Sequence, residues 1–131
     1  SAVHRLNPRS VAAIADQLQT TDFLNQRVGK YSLGMKQRLL LVMALVVKPT
    51  ILLLDEPLNG LDPTSLQLVR EVILTLAHQD VAVLISSHNL DELMKVTQHY
   101  FFITGQQIHE EVLGPNDSAE ARYNALFATS R

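Results

Sequence analysis

The sequence contains no cysteine among its 131 residues. A disulfide framework and a thiolate metal site are therefore both excluded, and the composition fits a reducing compartment. An excess of basic residues is also missing, because 11 Lys and Arg face 13 Asp and Glu, which gives a net charge of −2. Surfaces that bind nucleic acids usually carry a basic excess, so we expect no nucleic-acid partner.

Long apolar runs are missing as well. The longest run, LLLVMALVV at residues 39–47, falls well short of the roughly 20 residues that a membrane-spanning helix needs. The N-terminus does not combine a basic segment with an apolar core, so we expect no signal peptide. The hydrophobic content of 47% is enough for a buried core, and the length fits one modest domain.

Two continuous aliphatic runs, ILLL at residues 51–54 and VAVLI at residues 81–85, are typical of strands buried on both faces of a parallel sheet. Helices that alternate with such strands predict an α/β fold with crossover connections. Ser10 is the predicted cap of the first helix, and Phe23, Leu24 and Val28 are predicted core contacts. The predicted helices span residues 11–19, 32–47, 64–77, 89 or 91 to 96, and 117–129, and a hairpin is predicted at residues 100–104 and 107–112.

Polar groups follow both predicted strands: Asp55 and Glu56 after the first, and the stretch that ends in His88 after the second. Ligands bind at the carboxyl ends of parallel strands, so these groups are predicted to form one site. Adjacent strand positions point to opposite faces, so the two carboxylates are expected to have different roles. One can hold a hard cation such as Mg²⁺, and the other can accept a proton from water. The alternatives are a solvated turn for the acids and a structural hydrogen bond for His88.

The stretch YSLGMKQR at residues 31–38 predicts a helix start with Ser32 as its cap. A helix N-terminus binds phosphate readily, and Gly34 would allow another group to approach the backbone closely. Lys36 and Arg38 add positive charge nearby. The alternative is an ordinary capped helix with surface cations. Asp62, in the stretch NGLD, is predicted to cap the following helix.

The order YSLGMKQR, ILLLDEP, NGLD and SSH resembles the ATP-binding-cassette (ABC) ATPases, the motor subunits of ABC transporters. In that family these elements are the signature motif, the Walker B strand, the D-loop and the switch histidine. The resemblance covers residues 31–88. It implies an α/β fold: a partial P-loop NTPase-like core, with mostly parallel strands covered by helices, plus part of the helical subdomain.

The resemblance also implies roles for individual residues. Asp55 matches the Walker B aspartate that holds Mg²⁺, Glu56 the general base for the attacking water, and His88 the contact to the γ-phosphate. Asp62 matches the D-loop aspartate, which communicates across an ATPase dimer. The signature positions implied to bind nucleotide are Ser32, Leu33, Gly34 and Met35. Among these, Ser32 and Gly34 would contact the γ-phosphate of the nucleotide held by the opposite subunit.

The signature motif departs from the family's usual Leu-Ser-Gly-Gly-Gln at three positions. Tyr31 replaces the leucine, Leu33 the first glycine and Met35 the glutamine. The contact made by the glutamine amide is therefore lost. The resulting form resembles a branch of bacterial exporters for peptide antibiotics and drugs.

No G-x-x-x-x-G-K-[ST] phosphate-binding loop is present, because Tyr31 follows the sole Gly-Lys pair. The resemblance therefore implies the C-terminal portion of the ATPase domain over residues 1–131. About 1–48 would belong to the helical subdomain, and about 49–131 would hold the remaining motifs. We expect this chain alone to bind MgATP weakly or not at all. We also expect exposed sheet edges that favour a homo-oligomer or altered packing.

The implied function is that of an ATP-binding and ATP-hydrolysing subunit that powers export, with ATP and Mg²⁺ as cofactors. Its partners would be a second ATPase subunit and a membrane-spanning permease, on the cytoplasmic face of a bacterial cell membrane. One alternative is a truncated, non-catalytic module that binds or regulates a partner. Another is a non-transport ABC ATPase coupled to nucleic acid, which the near-neutral charge disfavours.

Overall fold

The computed structural model describes residues 8–129, which fall into two compact units; the first runs to Ser87 and the second starts at His88. Helices and two parallel strands build the first unit. Its elements are α1 (Pro8–Gln17), two 3₁₀ turns (Thr20–Asp22 and Val28–Lys30), α2 (Leu33–Val46), β1 (Ile51–Asp55), α3 (Pro63–Ala77) and β2 (Ala82–Ser86).

Helix α2 begins at Leu33 because the preceding serine caps it. The Ser32 hydroxyl accepts the backbone N–H of Met35 at 3.1 Å, which satisfies one of the donors that a helix start leaves open. Further along, Leu41, Val42 and Leu45 form the buried face of the helix. The predicted helix over residues 32–47 is confirmed to within one residue at each end.

Strands β1 and β2 pair in parallel, with Ile51 opposite Ala82 at one end and Asp55 opposite Ser86 at the other. Helix α3 connects them, and it packs Val69, Val72 and Ile73 into the core. The predicted crossover unit is therefore confirmed, and the carboxyl ends of both strands lie at the same edge.

Only one face of this strand pair is covered. Leu52 is 6% exposed, whereas its neighbours Ile51 and Leu53 are 66% and 70% exposed and Leu84 is 55% exposed. The prediction that both strands are buried on both faces is therefore wrong for this chain. Within residues 8–129 each strand also pairs with one neighbour only, so both outer edges are unpaired. The aliphatic runs are suited to a larger sheet than these residues build.

Helix α1 begins three residues before the predicted position. Pro8 is its first residue, and proline is favoured in the first turn because the N–H it lacks has no helical partner there. Ser10 therefore lies inside the helix rather than at its cap, and that prediction is wrong. The helix ends at Gln17, two residues before the predicted end.

The connection between α1 and α2 is anchored by one aromatic pair. Phe23 is buried and meets the ring of Tyr31 edge-to-face, with centroids 4.9 Å apart. The Tyr31 hydroxyl donates to the Phe23 carbonyl at 2.9 Å. Leu24 and Val28, by contrast, are exposed. The prediction of core contacts in this segment is correct for Phe23 and wrong for the other two.

The second unit pairs an antiparallel hairpin with two helices. The Asn89 side chain caps the first of these helices by accepting the backbone N–H of Glu92 at 3.1 Å. At the start of the second helix, the Ser118 hydroxyl accepts the backbone N–H of Ala121 at 3.2 Å. The predicted hairpin is confirmed, so the described strands form one parallel and one antiparallel pair. The elements are α4 (Leu90–Met94), β3 (His99–Thr104), β4 (Gln107–Val112) and α5 (Ala119–Thr129).

Within the described part of the chain, every helix is too short or too polar to cross a lipid bilayer.

Candidate functional site

A carboxylate and a hydroxyl meet where the two parallel strands end. Asp55 is the last residue of β1 and Ser86 the last of β2, and the two lie opposite each other in the ladder. The Ser86 Oγ donates to Asp55 Oδ1 at 2.5 Å. Bonds from a hydroxyl to an ionised carboxylate are short and strong, so Ser86 fixes the orientation of this exposed acid.

Glu56 follows directly and turns the chain away from the strand. Its backbone N–H is shared between the carbonyl oxygen and the Oγ of Ser86, both at 3.1 Å. Its φ angle of 49° lies in the left-handed region, which residues other than glycine seldom adopt. The strand therefore ends at Asp55, so strand alternation does not decide where the Glu56 side chain points. The prediction that strand alternation points the two carboxylates to opposite faces therefore does not apply to Glu56.

The loop after Glu56 is held by buried side chains and leads to a helix cap. Leu58 is buried, and Gly60 adopts a φ of 67° that suits glycine. The loop ends at Asp62, whose Oδ2 accepts the backbone N–H of Ser65 at 3.1 Å. The predicted capping role of Asp62 is confirmed.

The Asp62 carboxylate is stabilised in its charged form. The hydroxyl and the backbone N–H of Ser65 lower the pKa of Asp62 below its usual value, and the positive charge of Arg38 adds a smaller lowering. The Ser65 hydroxyl is itself fully buried. It lies beside this carboxylate but makes no hydrogen bond of standard geometry within the described residues.

The signature stretch forms the first turn of α2. Ser32 and Leu33 are exposed, Gly34 is buried, and Met35 is half-buried. The Met35 sulfur accepts the backbone N–H of Ser32 at 3.4 Å, so this side chain folds back onto the cap. A methionine at the family's glutamine position therefore contributes to the helix start in this chain.

Gly34 brings the signature stretch against the D-loop. A methyl group on its Cα would lie 2.7 Å from Ser65 Cβ, and closer still to Ser65 Oγ and Asp62 Oδ1. No side chain fits there without displacing these atoms. The close approach that glycine permits is therefore made to Asp62 and Ser65 of the same chain.

Arg38 takes part in contacts within the first unit. Its guanidinium donates to the carbonyl oxygens of Gly34 at 3.4 Å and of Leu18 at 3.3 Å. It also stands 5.0 Å from the centre of the Phe23 ring. The predicted phosphate-directed charge is thus engaged with the backbone, whereas Lys36 is exposed.

His88 is the first residue of the second unit, and its side chain is exposed. It follows Ser86 by two residues and directly precedes Asn89, the cap of α4. Its contact to a γ-phosphate stays a prediction.

The sequence alone does not identify Ser86 and Ser65 as site residues. Ser86 is one of several polar residues after a strand, and its role follows from its position opposite Asp55. Ser65 stands three residues after Asp62, the spacing at which a backbone N–H meets a capping side chain. That spacing was the available signal.

The residues present fit the protein's share of a magnesium site. Over residues 8–129, no three His, Cys, Asp or Glu side chains converge into a metal cage. None is required, because Mg²⁺ at nucleotide sites is held by one or two carboxylates together with substrate phosphates and water. Asp55, exposed at the strand end, has the appropriate oxygen chemistry and position.

Residues 6–59 of the chain match the family model of ABC transporters. The matched segment contains the signature stretch and the strand that ends in Asp55. Together with the relatives described next, this match shows that the chain is similar to the ABC transporter ATPases over the part that they share.

The similar curated proteins are ATP-binding proteins of bacterial transporters. The bacitracin transport ATP-binding protein BcrA of Bacillus licheniformis is 44% identical over 86 residues, which are 65% of this chain and 28% of that protein. The lantibiotic transport ATP-binding protein SrtF of Streptococcus pyogenes is 39% identical over 98 residues, 74% of this chain and 43% of that protein. The chain thus spans less than half the length of these relatives.

Solved structures show the same fold. An ATP-binding subunit of an ABC transporter matches with a TM-score of 0.80 at 19% identity. The match covers 94% of this chain and 57% of that subunit. A nucleotide-free ATP-binding cassette from an ABC transporter has a TM-score of 0.72 at 22% identity, covering 90% and 45%. The predicted α/β fold, a partial P-loop NTPase-like core, is confirmed.

Proposed function

We propose that the chain is the part of an ABC transporter ATP-binding subunit that contributes its acids and its signature motif to MgATP hydrolysis. The single observation that carries the proposal is the bond from Ser86 to Asp55 at the carboxyl ends of two parallel strands, with Glu56 anchored to the same serine. This edge is where ligands bind in α/β sheets.

In this proposal each acid has one task. Asp55 holds Mg²⁺, which neutralises charge on the phosphates. Glu56 accepts the proton of the attacking water. His88 contacts the γ-phosphate. The geometry that supports the roles of the two acids is the Ser86 anchor, which orients Asp55 and fixes the backbone of Glu56. The role of His88 rests on the sequence resemblance alone.

The signature turn acts on a nucleotide held by a second ATPase subunit. The N-terminus of α2, capped by Ser32, supplies the partial positive charge that favours phosphate. Gly34 belongs to the same turn and is flanked by Leu33 and Met35. Asp62 of the D-loop, which is proposed to face the second subunit, lies next to Gly34.

The transported cargo is a peptide antibiotic or a drug that is exported. The names of the two relatives described above, which include bacitracin and lantibiotic transport, support this class. A membrane-spanning permease would select the cargo, and the ATPase would act on the cytoplasmic face of a bacterial membrane. ATP and Mg²⁺ are the expected cofactors.

A second candidate is a non-catalytic module that pairs with another ATPase polypeptide. The exposed aliphatic face of β1 and β2 favours it, since Ile51, Leu53 and Leu84 lie open to solvent. This candidate predicts no hydrolysis in any combination.

The test is a chimera in which this chain replaces the matching segment of the bacitracin transport ATP-binding protein. We expect the chimera to hydrolyse ATP, and Glu56→Gln to lower kcat by about 10² to 10⁴, the usual contribution of a general base. Glu71→Gln, which changes an exposed glutamate on α3, is the matched control and should keep full activity. A chimera without activity supports the second candidate, and full activity of Glu56→Gln refutes the assigned role.

A further inference from the structure

The D-loop and the signature helix meet at one contact with no room for a side chain. Gly34 lies in the first turn of α2, Asp62 caps α3, and Ser65 lies in the first turn of α3. A methyl group on Gly34 would overlap with both Ser65 Oγ and Asp62 Oδ1. The backbone of one helix start therefore packs against side chains of the other, with no space for a Cβ atom between them.

Each partner in this contact is held in place by a second interaction. Asp62 is tied to Ser65 through the 3.1 Å capping bond, and Ser65 is fully buried. On the other side, Arg38 bonds the Gly34 carbonyl and the Leu18 carbonyl, which fixes α2 to the end of α1. The Asp62 side chain is exposed, but Ser65 Cβ cannot rotate away from a methyl group on Gly34, so relief of this overlap requires a shift of backbone.

We propose that Ser65 is a positioning residue that joins the signature turn to the D-loop, so that Gly34 and Asp62 move as one body. The consequence for catalysis rests on the proposed function: a phosphate bound at the start of α2 would shift Asp62 through Ser65. The contact itself exists in the chain whether or not the chain takes part in hydrolysis, so it can be tested separately.

The first test uses the 131-residue chain and follows the Asp62 carboxyl by NMR titration. Gly34→Ala should displace Asp62 from Ser65, so the Asp62 pKa should rise toward its ordinary value. Gly29→Ala is the matched control, because nothing lies within 4 Å of a methyl group at that exposed glycine. An unchanged Asp62 pKa in folded Gly34→Ala would overturn the proposal.

The second test is a double-mutant cycle on the melting temperature. Glycine to alanine inside a helix ordinarily stabilises, so a lower melting temperature for Gly34→Ala reports the overlap. Ser65→Gly removes two of the three overlapping atoms and should recover part of that loss when combined with Gly34→Ala. Additive losses in the double variant would contradict a direct contact.

A third variant covers the case in which Gly34→Ala does not fold. Ser65→Ala removes the hydroxyl but keeps the helix, and it should raise the Asp62 pKa because that hydroxyl is its largest stabilising neighbour. Alanine keeps the backbone N–H that bonds Asp62, so an unaltered Asp62 pKa in Ser65→Ala would overturn the positioning role of the Ser65 side chain. These three experiments use the isolated chain, so they test the contact between Gly34, Asp62 and Ser65 even if the chimera does not hydrolyse ATP.

Discussion

At the scale of single residues, the site depends on hydroxyl groups beside acids. The Ser86 hydroxyl bonds Asp55 and the backbone N–H of Glu56, whereas Ser65 bonds Asp62 through its backbone N–H and places its hydroxyl beside that carboxylate. Both serine side chains are small, so each places an oxygen close to a neighbouring acid. The acids would otherwise rotate freely at the exposed end of a strand or helix.

Replacing Ser86 by alanine should loosen Asp55, the proposed metal ligand. The change removes the 2.5 Å bond to Asp55 Oδ1 but leaves the Ser86 carbonyl that accepts the Glu56 N–H. We expect about a 10- to 100-fold loss of activity or Mg²⁺ affinity in the active chimera, as for other residues that orient metal ligands. Mg²⁺ titrations of the ATPase rate measure it.

Thr75→Ala is the control for Ser86→Ala, since Thr75 carries an exposed hydroxyl that bonds only a carbonyl of its own helix among the contacts described here. It should leave the Mg²⁺ dependence unchanged. Equal Mg²⁺ dependence for Ser86→Ala and the unmodified chimera would remove Ser86 from the site.

The sequence was sufficient to predict the capping residues and the strand-end acids, because these follow from local spacing. Ser32 and Asp62 were predicted as caps and are caps. The pairing of Ser86 with Asp55 could not be predicted, because it depends on the register between strands 31 residues apart in the chain. The left-handed conformation of Glu56 could not be predicted either, because no glycine next to Glu56 marks a turn in the sequence.

At the scale of elements, the start of α2 has a structural task and, in the proposed function, also a phosphate-binding one. Ser32 caps the helix, and the proposed function also places it on a phosphate. The two tasks respond differently to charge, because an aspartate caps a helix as well as a serine does but repels an anion.

Ser32→Ala should therefore destabilise the chain by about 1 kcal/mol, the usual cost of losing a cap. Ser32→Asp should keep the stability, yet abolish ATP hydrolysis in the chimera. Thermal unfolding and ATPase assays on both variants separate the tasks. A fully active Ser32→Asp would show that no phosphate approaches this helix start.

The helices were predicted more accurately than the burial of the strands. Local signals such as Ser32, Asp62 and Asn89 set where helices begin, and the structure agrees with them to within a residue or two. Helix α1 is the exception, because Pro8 is itself a good first residue and extends the helix past Ser10. The aliphatic runs predicted β1 and β2 as strands, but a run of Leu and Ile cannot report how many layers cover it.

At the scale of the whole molecule, the described chain leaves apolar surface open on the first unit. Ile51, Leu53 and Leu84 are exposed, and the outer edges of β1 and β2 are unpaired among residues 8–129. Exposed strand edges and apolar faces promote association between chains. The sequence relatives extend well beyond this chain, so the surface is expected to be covered in a complete domain.

We therefore predict that the isolated chain self-associates and that Leu53→Lys weakens the association. Leu24→Lys, at an exposed leucine in the loop between α1 and α2, is the control and should have a smaller effect. Sedimentation velocity over a range of concentrations measures both. A monomer at high concentration, or equal effects of the two lysines, would contradict a role for the sheet face.

The central claim is that Asp55 and Glu56 form one half of a nucleotide pocket that other polypeptide must complete. Titration of MgATP into the isolated chain by calorimetry tests it most directly, because this sequence holds the acids but no G-x-x-x-x-G-K-[ST] loop. The account predicts no measurable binding at micromolar nucleotide concentrations. Micromolar affinity of the chain alone for MgATP would contradict it.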